Sequence, residues 1–168
     1  VIGAGTYFLY RTALDTERRD LHDLATSQAA LIQAVARFDR EHSADFPDNA
    51  AAFASGGQAA TLSQLREAFM RHPGLGHSGE LVLGSERDDI VIFLRQRGEA
   101  GESRHIPRKS ALAEPMRRAL AGESGTIIAQ DYAGTRVLAA FQPLPELGWG
   151  LVAKRDLAAI RAPYIRTA

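Results

Sequence analysis

The sequence predicts an α+β fold, with a long N-terminal helix packed on an antiparallel sheet of about five strands and a short helix at the C-terminal end. Three observations carry that prediction. Between Thr12 and His42 there is neither Gly nor Pro, and apolar residues recur at helical spacing. Beyond about residue 79 the pattern changes to short apolar runs separated by turn residues. The links between the last three runs are only a few residues long. Such links join antiparallel neighbours, whereas a parallel crossover needs about a dozen residues.

The chain opens Val1-Ile2-Gly3-Ala4-Gly5-Thr6-Tyr7-Phe8-Leu9-Tyr10, without charge, and Arg11 follows. A membrane span needs roughly 20 apolar residues. Residues 1–11 are therefore expected to be the trailing remnant of a span, with Tyr7, Phe8 and Tyr10 near the interface. The same letters supply two glycines of a Gly-x-Gly-x-x-Gly dinucleotide fingerprint. Phe8 stands where the third belongs, however, and its side chain obstructs the close helix–strand packing that glycine permits. Residues 12–45 then form the long helix. Leu14, Leu21, Leu24, Gln28, Leu31, Val35 and Phe38 make an a/d stripe, and Ala25, Ala29, Ile32 and Ala36 lie beside it. Thirty residues of helix reach about 45 Å, more than a domain of this size needs for cover. The excess favours connection or dimerisation.

Residues 43–61, with Pro47, Gly56 and Gly57, read as irregular. Thr61 can cap a short helix running to Met70, which Pro73-Gly74 breaks. Glu80 to Gly84 and Ile90 to Arg95 form a hairpin around Ser85-Glu86-Arg87-Asp88-Asp89, and Arg97 to Lys109 is a loop. A helix opens at Ser110 or at Glu114-Pro115 and ends near Ala121-Gly122, because Pro suits a first turn and Gly the position after the last. Gly125 to Gln130 and Thr135 to Gln142 flank the turn Asp131-Tyr132-Ala133-Gly134. Gly148 to Arg155 is the last strand, and Asp156 caps a final helix that meets Pro163.

Composition narrows the chemistry. A chain of 168 residues suits one domain, and 20 basic residues balance 20 acidic ones, so no bulk field argues for nucleic acid. The absence of cysteine excludes disulfides, thiol catalysis and cysteine-ligated metal. His72 and His77 lie five apart across a Pro-Gly-Leu-Gly loop, without the i, i+4 spacing of a helical zinc site, and no metal site is predicted. Ser124 lies outside any Gly-x-Ser-x-Gly motif, Asp88-Asp89 sits at a hairpin tip, and there is no Gly-Lys-Ser/Thr phosphate loop. No catalytic residue and no cofactor are predicted. Trp149, between two glycines, is expected in the core. The cationic stretch Arg95, Arg97, Arg104, His105, Arg108 and Lys109 is different. A loop laid back over a sheet can present Arg to a carboxylate in bidentate geometry; the plainer reading is a solvated loop offset by Glu99 and Glu102. Asp131 and Tyr132 read first as turn residues.

Four stretches together carry a family resemblance: Gly79-Glu80-Leu81-Val82-Leu83-Gly84, Ala119-Leu120-Ala121-Gly122-Glu123-Ser124-Gly125, Asp131 through Ala140, and Gly148-Trp149-Gly150-Leu151-Val152-Ala153-Lys154. With the order of elements, residues 46–168 resemble a single Cache domain, the PAS-like extracytoplasmic sensor of bacterial transmembrane receptors. The resemblance implies a parent that spans the inner membrane twice, with this domain on the periplasmic side. The implied output is a histidine kinase of a two-component system, a cyclase or a chemoreceptor, and the domain itself is non-catalytic. In that family a small ligand binds over the sheet and shifts the terminal helices. By position, the implied ligand site is Phe93, Arg95, Arg104, His105, Tyr132 and Lys154, with a carboxylate among the candidate ligands. The rival expectation is a ligand-free module that dimerises through Leu21, Leu24, Leu31, Val35 and Phe38. A cavity lined by Arg95 and Arg104 would favour sensing; a sheet face filled by its own side chains would favour the rival.

Overall fold

The computed structural model describes residues 3–42, 75, 78–86, 88–95 and 103–165, with the backbone alone at 39, 42 and 91–95. The expected helix at Thr61–Met70 and His72 and His77 lie outside the described residues. Helix α1, Ala4–His42, is one uninterrupted run of 39 residues, about 58 Å long at 1.5 Å per residue. It begins eight residues before Thr12, because the uncharged opening joins the helix. Gly5 is its only glycine, and Thr12 and Thr16 donate their hydroxyls back to the carbonyls of Phe8 and Thr12. No described helix is long and apolar enough to cross a membrane.

The remaining elements are β1 (Gly79–Glu86), β2 (Ile90–Arg95), β3 (Arg104–Ile106), α2 (Glu114–Leu120), β4 (Gly125–Gln130), β5 (Arg136–Leu144), β6 (Trp149–Asp156) and α3 (Leu157–Ile165). The strands form one sheet in the order β3-β2-β1-β6-β5-β4, antiparallel throughout. The α+β architecture is thus the one the sequence predicts: a long first helix, an antiparallel sheet and a short last helix. Three details differ. The loop expected from Arg97 to Lys109 contains β3, a three-residue edge strand whose one apolar residue, Ile106, is buried; so short a run leaves no periodicity to read. β5 continues through Pro143, which lies past the last β4 pairing, Gly125↔Phe141, where an edge tolerates a missing donor. Helix α3 continues past Pro163 to Ile165, at the cost of one backbone bond to Ala159 in its last turn.

Each face of the sheet has its own cover. Leu81, Leu83, Leu138, Ala140, Leu151 and Ala153 pack under α1, while the alternating Val82, Val137, Ala139 and Val152 pack under α2. Gly84 pairs with Gly150 on the α2 side, and a Cβ at Gly150 would come within 2.7 Å of Met116 Sδ and 2.9 Å of Ala119 Cβ. The glycine lets α2 lie directly on the strand.

Of the residues expected in a dimer seam on α1, Leu21 is taken by the chain's own core. It is buried there together with Ala25, Ala29, Ile32 and Ala36, and Leu24 packs partly against the same cluster. A stripe at strict seven-residue spacing drifts around a straight helix by about 20° per heptad. The core therefore follows Ala25-Ala29-Ile32-Ala36, and Leu31 and Phe38 rotate outward, 52% and 59% exposed. Side chains fasten α1 along its length: Glu17 pairs with Arg155, Thr26 accepts from Gln142, and Arg37 and Arg40 pair with Glu146. Ile32 is fully buried between α1 and the sheet. Ile32→Ala is expected to lower the unfolding free energy by about 2–5 kcal/mol, read as a lower midpoint in urea.

Candidate functional site

The register of the two central strands sets up the site. β1 and β6 pair so that Glu80 stands opposite Lys154 and Val82 opposite Val152. On the other side of β6, Lys154 stands opposite Ala139 of β5. The turn between β4 and β5 returns Asp131 and Tyr132 to the same face, under the entry to α2, where Ala113 N donates to the Asp131 carbonyl at 3.1 Å.

On that otherwise apolar face, Lys154 Nζ donates to Asp131 Oδ2 and, at 2.9 Å, to Glu80 Oε2. The Tyr132 hydroxyl donates to both Glu80 oxygens, at 3.0 and 2.9 Å. Asp131 uses its second oxygen to accept from the backbone N–H groups of Ala133 and Thr135, at 2.8 and 2.9 Å. One carboxylate therefore caps its own turn and holds the ammonium. Lys154 also lies 4.5 Å from the Tyr132 ring centre, with the Arg104 guanidinium carbon 5.7 Å from it, both within cation–π range. Glu80, Asp131 and Lys154 are each about 5% exposed or less, and no other polar or charged residue among the described ones is buried to that degree.

Burial pulls the Lys154 ammonium down, but the hydrogen bond to Asp131 and the charge of Glu80 outweigh it, and its pKa lies above the ordinary 10.5. A raised lysine pKa stabilises the fold below the unfolded value, and that contribution fades only as pH rises through the folded one. Two carboxylates and a phenol arranged around one ammonium make a binding site for a primary ammonium group, taken here by the chain's own lysine. The residual cavity beside it has a volume of about 10 Å³, room for roughly one water, with Val82, Ala113, Met116 and Val152 among its walls. Ala113 adopts φ 57°, ψ 34°, a left-handed conformation that a residue with a Cβ enters at a cost of order 1–3 kcal/mol.

Of the six residues expected at the site, the structure brings three together. Tyr132 and Lys154 are in the cluster and Arg104 stands on its rim, exposed. His105 is exposed beside Arg104 on β3, opposite Val91. Arg95 pairs in register with Val82, and Phe93 falls in the register shift between Leu83 and Gly84, without a partner on β1. Glu80 and Asp131 were not expected as site residues. A carboxylate inside an apolar strand start, Gly-Glu-Leu-Val-Leu, was the available signal for Glu80. Asp131 was legible only as a turn cap, which it also is. Among the described residues no group of three or more His, Cys, Asp or Glu could hold a metal ion.

Comparison with protein-family models, with curated proteins and with solved structures finds no match for this chain.

Removing the ammonium alone leaves two buried carboxylates without their counter-charge. Lys154→Met is expected to cost about 3–5 kcal/mol in urea unfolding, and Glu80→Gln with Asp131→Asn in the same chain should recover most of it. In the unmodified chain, stability should fall with rising pH only above about 10.5, and Lys154→Met should lose that component of the alkaline transition.

Proposed function

We propose that this chain is the extracytoplasmic small-molecule sensing domain of a membrane signal-transduction receptor, of histidine kinase, cyclase or chemoreceptor type. Its ligand site is the sheet face beneath α2, held shut by Lys154. The observation that carries the reading is the Glu80–Lys154–Asp131–Tyr132 cluster. A buried ion pair is often no more stable than well-packed apolar residues of the same volume. Three such charges, the only buried charged residues among the described ones, therefore suggest a role beyond stability. The left-handed Ala113 forms part of the cavity wall at the entry to α2, which supports a wall that moves.

The route outward is short. Lys154 and Arg155 are consecutive on β6. One engages the cluster and the other pairs with Glu17 of α1, while β6 runs directly into α3. α3 lies against the start of α1, with Tyr10 and Tyr164 ring centres 6.0 Å apart in an edge-on contact. A ligand that binds one arrangement of the cluster more tightly shifts the population of both terminal helices by that differential affinity.

One observation favours the second reading, a ligand-free interaction module. The face is filled by its own side chains down to about 10 Å³, and Arg104 stands outside that cavity. In that reading the exposed Leu31 and Phe38 serve a partner protein or a second copy, and the buried Leu21 takes no part.

A thermal-shift screen against small carboxylates, amino acids, amines and purines separates the two. A ligand at a hundred times its Kd adds about 2.7 kcal/mol, a rise of a few degrees. The sensing reading expects a dose-dependent hit that Arg104→Ala or Arg95→Ala weakens without lowering the ligand-free Tm. Silence across the panel, with native mass spectrometry showing no copurified ligand, overturns it in favour of the interaction module.

A further inference from the structure

A second groove lies away from the cluster, between the start of β5 and α3. Its volume is about 540 Å³, and it is lined by Thr135, Arg136, Leu157, Arg161, Ala162 and Ile165 among others. Arg136 and Arg161 are both exposed, and neither has an ion-pair partner among the described residues, whereas most of the other described arginines do. Among the described residues no carboxylate lines the groove. Its apolar wall runs out to Ile165, 48% exposed.

The groove lies along α3, and α3 meets the start of α1 through Tyr164. Four of the six large apolar residues most exposed among the described ones gather on those two segments: Tyr7, Phe8, Leu9 and Ile165. The Tyr10–Tyr164 contact holds the segments side by side. Exposed aromatics flanked by guanidinium groups match the composition of a membrane interface, where amphipathic rings sit at headgroup depth and arginines meet lipid phosphates.

We propose that the Arg136–Arg161 groove is a docking site for the headgroups of anionic lipids, and that it sets how the domain sits on the membrane. Guanidinium groups hold a phosphate by paired, charge-assisted hydrogen bonds, and the Leu157–Ile165 wall accepts the first methylenes of an acyl chain. The proposal rests on the membrane half of the reading above and not on its ligand half, so a failed vesicle assay leaves the ligand screen untouched.

The test is co-sedimentation of the 168-residue chain with vesicles of phosphatidylcholine alone or mixed with phosphatidylglycerol. The chain is expected to prefer the mixed vesicles. Arg136→Gln/Arg161→Gln, with an unchanged Tm, should lose about thirty-fold in that binding, the equivalent of about 1 kcal/mol per cation. Equal binding to both vesicle types, or full retention by the double variant, overturns the proposal. So does displacement by glycerol phosphate beyond that of sodium chloride at equal ionic strength, because the groove would then be a site for a soluble anion.

Discussion

The pairing of β1 with β6 is the constraint on which everything else depends. It joins residues about seventy positions apart, from Gly79↔Arg155 to Ser85↔Trp149, and forms the middle of the six-stranded sheet. One face of that pair supplies Leu81, Leu83, Leu151 and Ala153 to the core under α1. The other supplies Glu80, Val82, Val152 and Lys154, with the Gly84↔Gly150 step that lets α2 approach. Because strand side chains alternate, a slip of one residue would turn Glu80 and Lys154 into the α1 core and the leucines out beneath α2. The register is therefore specified from both sides.

That specification explains how three charges are held in an apolar layer. Each ion taken out of water costs several kcal/mol, and attraction repays the loss only where the remaining hydrogen-bonding capacity is also met. Here Lys154 has two carboxylates, Glu80 has the lysine and the Tyr132 hydroxyl, and Asp131 has the lysine and two backbone amides. The cluster is nearly self-contained. It needs the β4–β5 turn, the β1–β6 register and the α2 entry to be in place together, which makes it a reporter of the whole α2 face.

Helix, hairpin and meander were legible in the sequence because each rests on local chemistry. The Gly/Pro-free run from Thr12 to His42 is helical throughout, Gly122 takes the φ of +87° that follows α2, and Gly134 the φ of +83° that closes the β4–β5 turn. Trp149 is buried as a strand tryptophan between glycines should be. The candidate site was only half legible. Tyr132 and Lys154 could be placed by position, but Glu80 becomes a site residue only through a partner far away in sequence, and no local period reports a pairing at that distance. The face of α1 that meets the sheet was ambiguous for the opposite reason. A heptad stripe and a 3.6-residue stripe overlap for two turns, and only the sheet beneath decides which one is buried.

A single strand ties the two faces together. Lys154 and Arg155 are neighbours on β6 that project to opposite sides, one into the cluster under α2 and the other to Glu17 on α1. Arg155 is also held by the Leu75 carbonyl at 3.2 Å, and its Nε is buried without an acceptor among the described residues. A rotation of β6 that relaxed Lys154 would have to move Arg155 with it, because the two side chains share one stretch of backbone. α1 would then feel the change at Glu17, about two turns from where Tyr164 of α3 packs against Tyr10. In the proposed sensing reading no long pathway is needed, because the two residues that would carry the coupling are consecutive on β6.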